Sequence, residues 1–153
     1  MNEKFNSIID KMPKLQKQLD DSSFISLDNL VDIPISGIYV FFENEKPIYV
    51  GRSNRMRDRL REHFRPSSTN YSAPFAFNIA KKQAVMESID IKKPRKKLEK
   101  DSRFHELFME AKRRVSKMSV KVIQIEDPVL QAIFEIYASI KYETQEYNDF
   151  ETH

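Results

Sequence analysis

Cysteine is absent from this chain of 153 residues. Disulfides, thiolate zinc sites and cysteine nucleophiles are excluded together, and the composition suits a reducing, cytoplasmic setting. Glycine is nearly absent, with two residues, Gly37 and Gly51. No glycine-rich loop is available to cradle phosphates, which speaks against nucleotide-driven chemistry. Long apolar runs are missing as well. The segment MNEKFNSIIDKMPKLQKQLDD mixes charges throughout, unlike a secretory leader, and no later stretch approaches the length of a membrane span, so a cytoplasmic protein with no membrane partner is expected. No internal repeat is visible. The length suits one domain with a real core.

What is present is charge, unevenly spread. The formal net charge is +3, yet residues 31–125 hold 21 Lys/Arg against 11 Asp/Glu, and residues 126–153 hold one Lys against seven acids. Cations gathered in this way either form a solvated surface of mixed charge or track a phosphate backbone, where each neutralised phosphate releases counterions. Charge alone leaves both readings open.

Both glycines fall in one stretch, Ser36 to Phe64, inside the tripeptides Gly37-Ile38-Tyr39 and Tyr49-Val50-Gly51. Ile38–Phe42 and Pro47–Val50 are rich in β-branched and aromatic residues and flank the polar turn Glu43-Asn44-Glu45-Lys46, which predicts a β-hairpin. Alternation along its strands would bring Tyr39 and Tyr49 to one face if the register permits. A helical pattern follows, capped by Ser53 or Asn54, with Met56, Leu60 and Phe64 as its apolar stripe. Arg55, Arg59 and His63 form a polar stripe beside it, and Arg57, Arg61 and Arg65 the next row. Two cationic rows are thus available to an anion.

On either side of this stretch the elements are plainer. Residues 3–20 place Phe5, Ile8, Ile9, Met12, Leu15 and Leu19 at helical spacing, interrupted by Pro13, and read as a helical extension packed on the domain. Phe24–Ile35 reads as an ordered connector. Arg65–Pro74 reads as a loop, and Phe75–Ile89 as a helix with Phe75, Ile79, Val85, Met86 and Ile89 inward. The run Lys92-Lys93-Pro94-Arg95-Lys96-Lys97 reads as an exposed, mobile connection, either a clamp for a polyanion or a soluble loop. Asp101–Val115 is a helix capped by Asp101 or Ser102, and its His105 reads as a surface or packing residue, since no second His or Cys stands at ligand spacing. Ser119–Ile125 alternates as a third strand, and Asp127-Pro128 opens a final helix from Val129 to Ile140.

That last helix is apolar almost all round and carries one charge, Glu135. An unpaired carboxylate there costs free energy, so three arrangements are open. It pairs with an arginine such as Arg59, lies on a narrow solvated stripe with Gln131 and Ser139, or binds a cation.

The two tripeptides, with Arg59 and His63 eight and twelve residues past Gly51, resemble the GIY-YIG nuclease family. The resemblance is close over Ser36–Phe64 and extends roughly to Phe150. It implies an α/β fold with a small, mostly antiparallel three-stranded sheet flanked by helices. Residues 1–35 would be the N-terminal extension and connector, and 36–153 the nuclease-like domain with a basic helical insertion at about 66–117. It further implies a DNA endonuclease dependent on Mg²⁺ or Mn²⁺, in which Tyr39, Tyr49, Arg59, His63 and Glu135 are catalytic and Glu135 holds the metal. Double-stranded DNA would be the partner, gripped by Arg52, Arg55, Arg57, Arg61, Lys92, Lys93, Arg95, Lys96 and Lys97. Asn148 is the candidate for the family's late active-site Asn. A homodimer is one way for such an enzyme to cut both strands. The alternative is a nucleic-acid-binding module that keeps the fold without cutting.

Overall fold

The hairpin forms because its turn accepts the backbone that a two-residue loop requires. Strands β2 (Gly37–Glu43) and β3 (Lys46–Ser53) pair antiparallel down to Glu43 opposite Lys46. Asn44 and Glu45 both take positive φ, 51° and 65°, as the twist-matching primed turn demands. Ile48 is the extra residue of a bulge, since Phe41 faces Tyr49 while Phe42 faces Pro47. Pro47, without an amide hydrogen, is tolerated because β3 is an edge strand.

The structure, a computed structural model, describes residues 3–149. They divide into two compact units. One spans residues up to Arg57 and resumes at Ser119; the other is Asp58–Met118.

The first unit holds α1 (Glu3–Asp10), α2 (Met12–Asp21), β1 (Ile25–Ser26), β2, β3, β4 (Ser119–Gln124) and α7 (Pro128–Tyr142). Its sheet is open and antiparallel in the order β1-β4-β2-β3, with four strands rather than the three expected. The added strand is two residues long, Ile25 on Val120 and Ser26 on Ser119, too short to leave a periodic trace. Ile38, Val40 and Phe42 face one side and pack with Val50, Ile123, Ile125, Phe134 of α7, and Met12 and Leu19 of α2. Pro13 divides the N-terminal pattern into two helices and sits in the first turn of α2, where a missing amide hydrogen costs nothing. Asp127 caps α7 as expected, accepting from the backbone N–H groups of Val129 and Leu130.

The second unit holds α4 (Pro74–Met86), α5 (Arg95–Lys100) and α6 (Ser102–Ser116), and α3 (Met56–Glu62) leads into it. Phe77 meets Phe104 and Phe108 edge-on, with ring centroids 5.1 and 5.4 Å apart, a favoured aromatic geometry. The inward face of α4 therefore runs through Phe77, Ala80 and Ala84, and Val85 and Met86, expected inside, are exposed. Asp101, not Ser102, caps α6 by accepting from Phe104 N–H.

The two glycines are fixed by close approach. A Cβ on Gly37 would strike the carbonyl of Ile123 on the neighbouring strand, and one on Gly51 would fall on the ring and hydroxyl of Tyr39. Gly51→Ala therefore has to displace the Tyr39 phenol. We expect it to cost about 1–3 kcal/mol, as overpacking does, read as a lower urea midpoint with an unchanged slope. A midpoint equal to wild type would show that the phenol moves aside freely.

Candidate active site

Tyr39 lies opposite Gly51, and Phe41 opposite Tyr49. The register thus puts Tyr39 and Tyr49 on one face as diagonal neighbours, as the sequence pattern allowed. Tyr39 is 1% exposed, stands edge-on to Phe41 at 5.8 Å, and brings its hydroxyl over the bare Cα of Gly51. Tyr49 is partly exposed.

The next residue along β3, Arg52, pairs with Ile38 and so turns to the opposite face, toward α7. There its Nε lies 3.6 Å from Oε1 of Glu135. The Tyr39 hydroxyl and the Glu135 carboxylate therefore reach the edge strand at adjacent residues from its two sides. Burial pushes the Glu135 carboxyl above its ordinary value, and Arg52 opposes that only in part. The arginine paired with Glu135 is thus Arg52, which had been expected to grip DNA.

Glu135 belongs to a polar stripe on α7 with Gln131 and Ser139, and of the arrangements open to it the solvated stripe is not the one these two neighbours form. Gln131 and Ser139 are 1% and 0% exposed. Gln131 Nε2 donates to Asn54 Oδ1 at 3.0 Å, just past β3, and Glu135 meets Arg52. Ser139 is linked through Thr144 and Asn148 to Val50. Four residues of helix rise about 6 Å, and two residues of strand span about 6.6 Å, so helix and edge strand stay in step over three levels. Asn148 completes the third level. Its amide accepts from Val50 N–H at 2.9 Å and donates to Val50 C=O at 2.7 Å, and its oxygen also accepts from Thr144. In this arrangement Asn148 holds the edge strand in place from its open side.

Arg59 and His63 belong to the second unit. Arg59 Nη1 donates to the carbonyl of Ser72 at 2.8 Å and to Glu62 Oε1 at 3.2 Å. His63 is wholly buried, beside the Phe75 ring, and not on a solvated polar stripe. The helix ends at Glu62, and the turn beyond it brings His63 inward in place of Phe64, which is half-buried. Burial, reinforced by the Arg59 charge, holds the imidazole well below its ordinary pKa, so it is neutral at pH 7.

The cationic rows divide by role. Arg57 Nε donates to the Leu30 carbonyl at 2.9 Å and anchors the connector, while Arg55 and Arg61 are exposed. The basic run is not one mobile loop. Lys93 lies 3.9 Å from Asp101, Arg95 rests over the Phe77 ring at 5.4 Å, and Arg95–Lys100 is helical. Lys92, Lys96 and Lys97 are exposed.

The GIY-YIG catalytic-domain family model matches residues 35–148. The chain belongs to the GIY-YIG family. No curated protein and no solved structure gives a significant match. Membership makes this a nuclease-type α/β domain. Among the described residues no three His, Cys, Asp or Glu side chains are grouped to cage a metal ion, and no helix is long and apolar enough to cross a membrane. Sequence reasoning missed Gln131 and Thr144 as supports of the site, although Gln131 stands one turn before Glu135 on the same stripe.

His63 supplies a test of this geometry. It enters the fold neutral, whereas in the unfolded chain it titrates near 6.5, so its contribution to stability is present above that pH and lost as pH falls below it. Urea melts at pH 7 and pH 5 should show wild type losing more stability than His63→Gln does. Equal losses would mean that the imidazole is protonated inside the fold.

Proposed function

We propose that this GIY-YIG protein is a divalent-metal-dependent endonuclease that hydrolyses phosphodiester bonds of double-stranded DNA. The observation that carries the reading is the approach of the Tyr39 hydroxyl and the Glu135 carboxylate to adjacent residues of one edge strand, Gly51 and Arg52, in a chain of a nuclease-type family. A partly buried carboxylate whose only ion-pair partner among the described residues is long and half-exposed lacks compensation, and that is the state a cation relieves. Mg²⁺ is commonly held by one or two carboxylates together with waters and substrate phosphate oxygens, so Glu135 meets its requirement without a cage. When bound, such an ion neutralises phosphate charge and acidifies a water.

The remaining work falls to side chains. Tyr39 orients the attacking water or takes its proton; with an ordinary pKa near 10, it needs a neighbouring cation to act as a base at pH 7. Arg59 stabilises negative charge developing on the phosphate, for which a planar fork is suited. Tyr49 donates to a phosphate oxygen. Neutral His63 relays a proton, since an uncharged imidazole has both a donor and an acceptor nitrogen. One such site cuts one strand, so a double-strand break takes a homodimer or two successive nicks. A binding module that does not cut would have no use for a carboxylate held against its own desolvation cost.

Glu135→Gln separates the readings. As a metal ligand, its loss should lower plasmid nicking by about 10²–10³-fold. The charge is disfavoured by burial, so the fold loses stability as pH rises through the raised carboxyl pKa. The variant should therefore melt at neutral pH no lower than wild type and up to about 2–4 °C higher. Melting far below wild type, or undiminished nicking, would remove Glu135 from the metal site.

Arg59→Lys keeps the charge and loses the fork. Cleavage should fall by about 10²–10³-fold, as when one transition-state donor is removed, with DNA affinity little changed. A wild-type rate would show that charge alone suffices.

A further inference from the structure

The second unit contains a cavity of about 330 Å³ between the loop after α3 and helices α5 and α6, at the small end of ligand sites, which run from about 300 to 1,000 Å³. Its charge is one-sided. Lys96 and Lys100 of α5 and Lys112 of α6 line it, against a single carboxylate, Glu99. One oxygen of that carboxylate is occupied by the backbone N–H of Asn70.

Lys112 makes the wall a built one. It is 3% exposed, and its ammonium donates to the carbonyls of Ser68 at 2.6 Å and Pro66 at 2.8 Å, 4.1 Å from the centre of the Phe108 ring. These bonds fix the Pro66–Thr69 loop over the cavity and bring a buried positive charge to its lining. Ser67, Ser68 and Thr69 add hydroxyls on one side and His105 a ring on the other. The Ser67 and Ser68 hydroxyls have no hydrogen-bond partner among the described residues. Phe108 and Pro66 make the rest of the wall apolar, so an anion inside is partly shielded from water and each charge-assisted bond gains strength. Several ammonium groups with free hydroxyl donors suit an anion that has several oxygens and more than one charge.

We propose that this cavity binds a phosphate group, either a phosphodiester of a nucleic-acid strand or the phosphate of a free nucleotide. The site lies wholly within Asp58–Met118 and does not depend on the nuclease reading.

The test is a titration of the isotopically labelled full chain with inorganic phosphate at constant ionic strength, followed by NMR. Amides of Ser67–Thr69 and Lys100 and the ring of His105 should shift saturably. Lys96→Gln/Lys100→Gln, whose native side chains are exposed, should melt as wild type does and bind phosphate at least about tenfold more weakly. Shifts that grow linearly without saturation, or equal affinity in the double variant, overturn the site. A short DNA duplex added to the phosphate-loaded protein then identifies the source. Displacement of phosphate supports a strand phosphodiester, and persistence with displacement by a nucleoside monophosphate supports a free nucleotide. A protein that binds phosphate here but leaves plasmid uncut would retire the nuclease reading and keep the site.

Discussion

The edge strand β3 is the constraint on which the first unit depends. Its outer side offers backbone groups that no strand among the described residues takes up, and an open edge invites pairing with another chain. Asn148 closes that edge at Val50 with both halves of its amide. The polar stripe of α7 does the same work with side chains at Arg52 and Asn54. The near match between four residues of helix and two of strand lets one straight helix serve all three levels. Gly51 lies between two of those levels, so the absence of a side chain admits the Tyr39 phenol from the opposite face. Structural closure of the edge and assembly of the candidate site are therefore one arrangement, and a side chain that serves one serves the other.

How much of this was legible depended on the range of the interactions. The hairpin turn and the Asp127 cap follow from neighbours a few residues apart and were readable, Asp101 was one of two candidate caps, and the register that places Tyr39 and Tyr49 on one face came only with the strand pairing. The partner of Glu135 was not, because Arg52 lies 83 residues earlier in the chain and periodicity says nothing about which of many arginines meets a helix. His63 was misjudged for a local reason, since α3 stops at Glu62 and a stripe extrapolated past a helix end rotates away from its true face. Val85 and Met86 were misjudged for a tertiary one. The three-ring cluster around Phe77 decides how α4 is turned, and its alanines let α6 approach. The two-residue β1 left no pattern to read.

Two desolvated charges, one buried and one partly buried, show opposite solutions to one problem. Lys112 is desolvated, which pulls its pKa down, and two backbone carbonyls and an aromatic face hold it. Glu135 is desolvated too, but its one arginine stands at 3.6 Å and is 43% exposed, and such a partner contributes little in solvent. The first charge is built into the fold, whereas the second keeps part of its desolvation cost, and the metal role proposed for Glu135 rests on that contrast rather than on burial alone.

Charge is divided between the units as sharply as it is along the chain. Asp58–Met118 holds 16 Lys/Arg against eight Asp/Glu, and the remainder of the chain holds ten against 15. A polyanion is therefore attracted by the second unit and weakly repelled by the first, whose Glu135 adds to the repulsion. On the proposed reading, affinity for nucleic acid and its dependence on salt reside in residues 58–118, whereas Tyr39 and Glu135 act from outside them and Arg59 and His63 from within. The side chains that close the β3 edge at its three levels, Asn54 with Gln131, Arg52 with Glu135, and Asn148 at Val50, all belong to the first unit, so the closure is complete without drawing on the cations of residues 58–118.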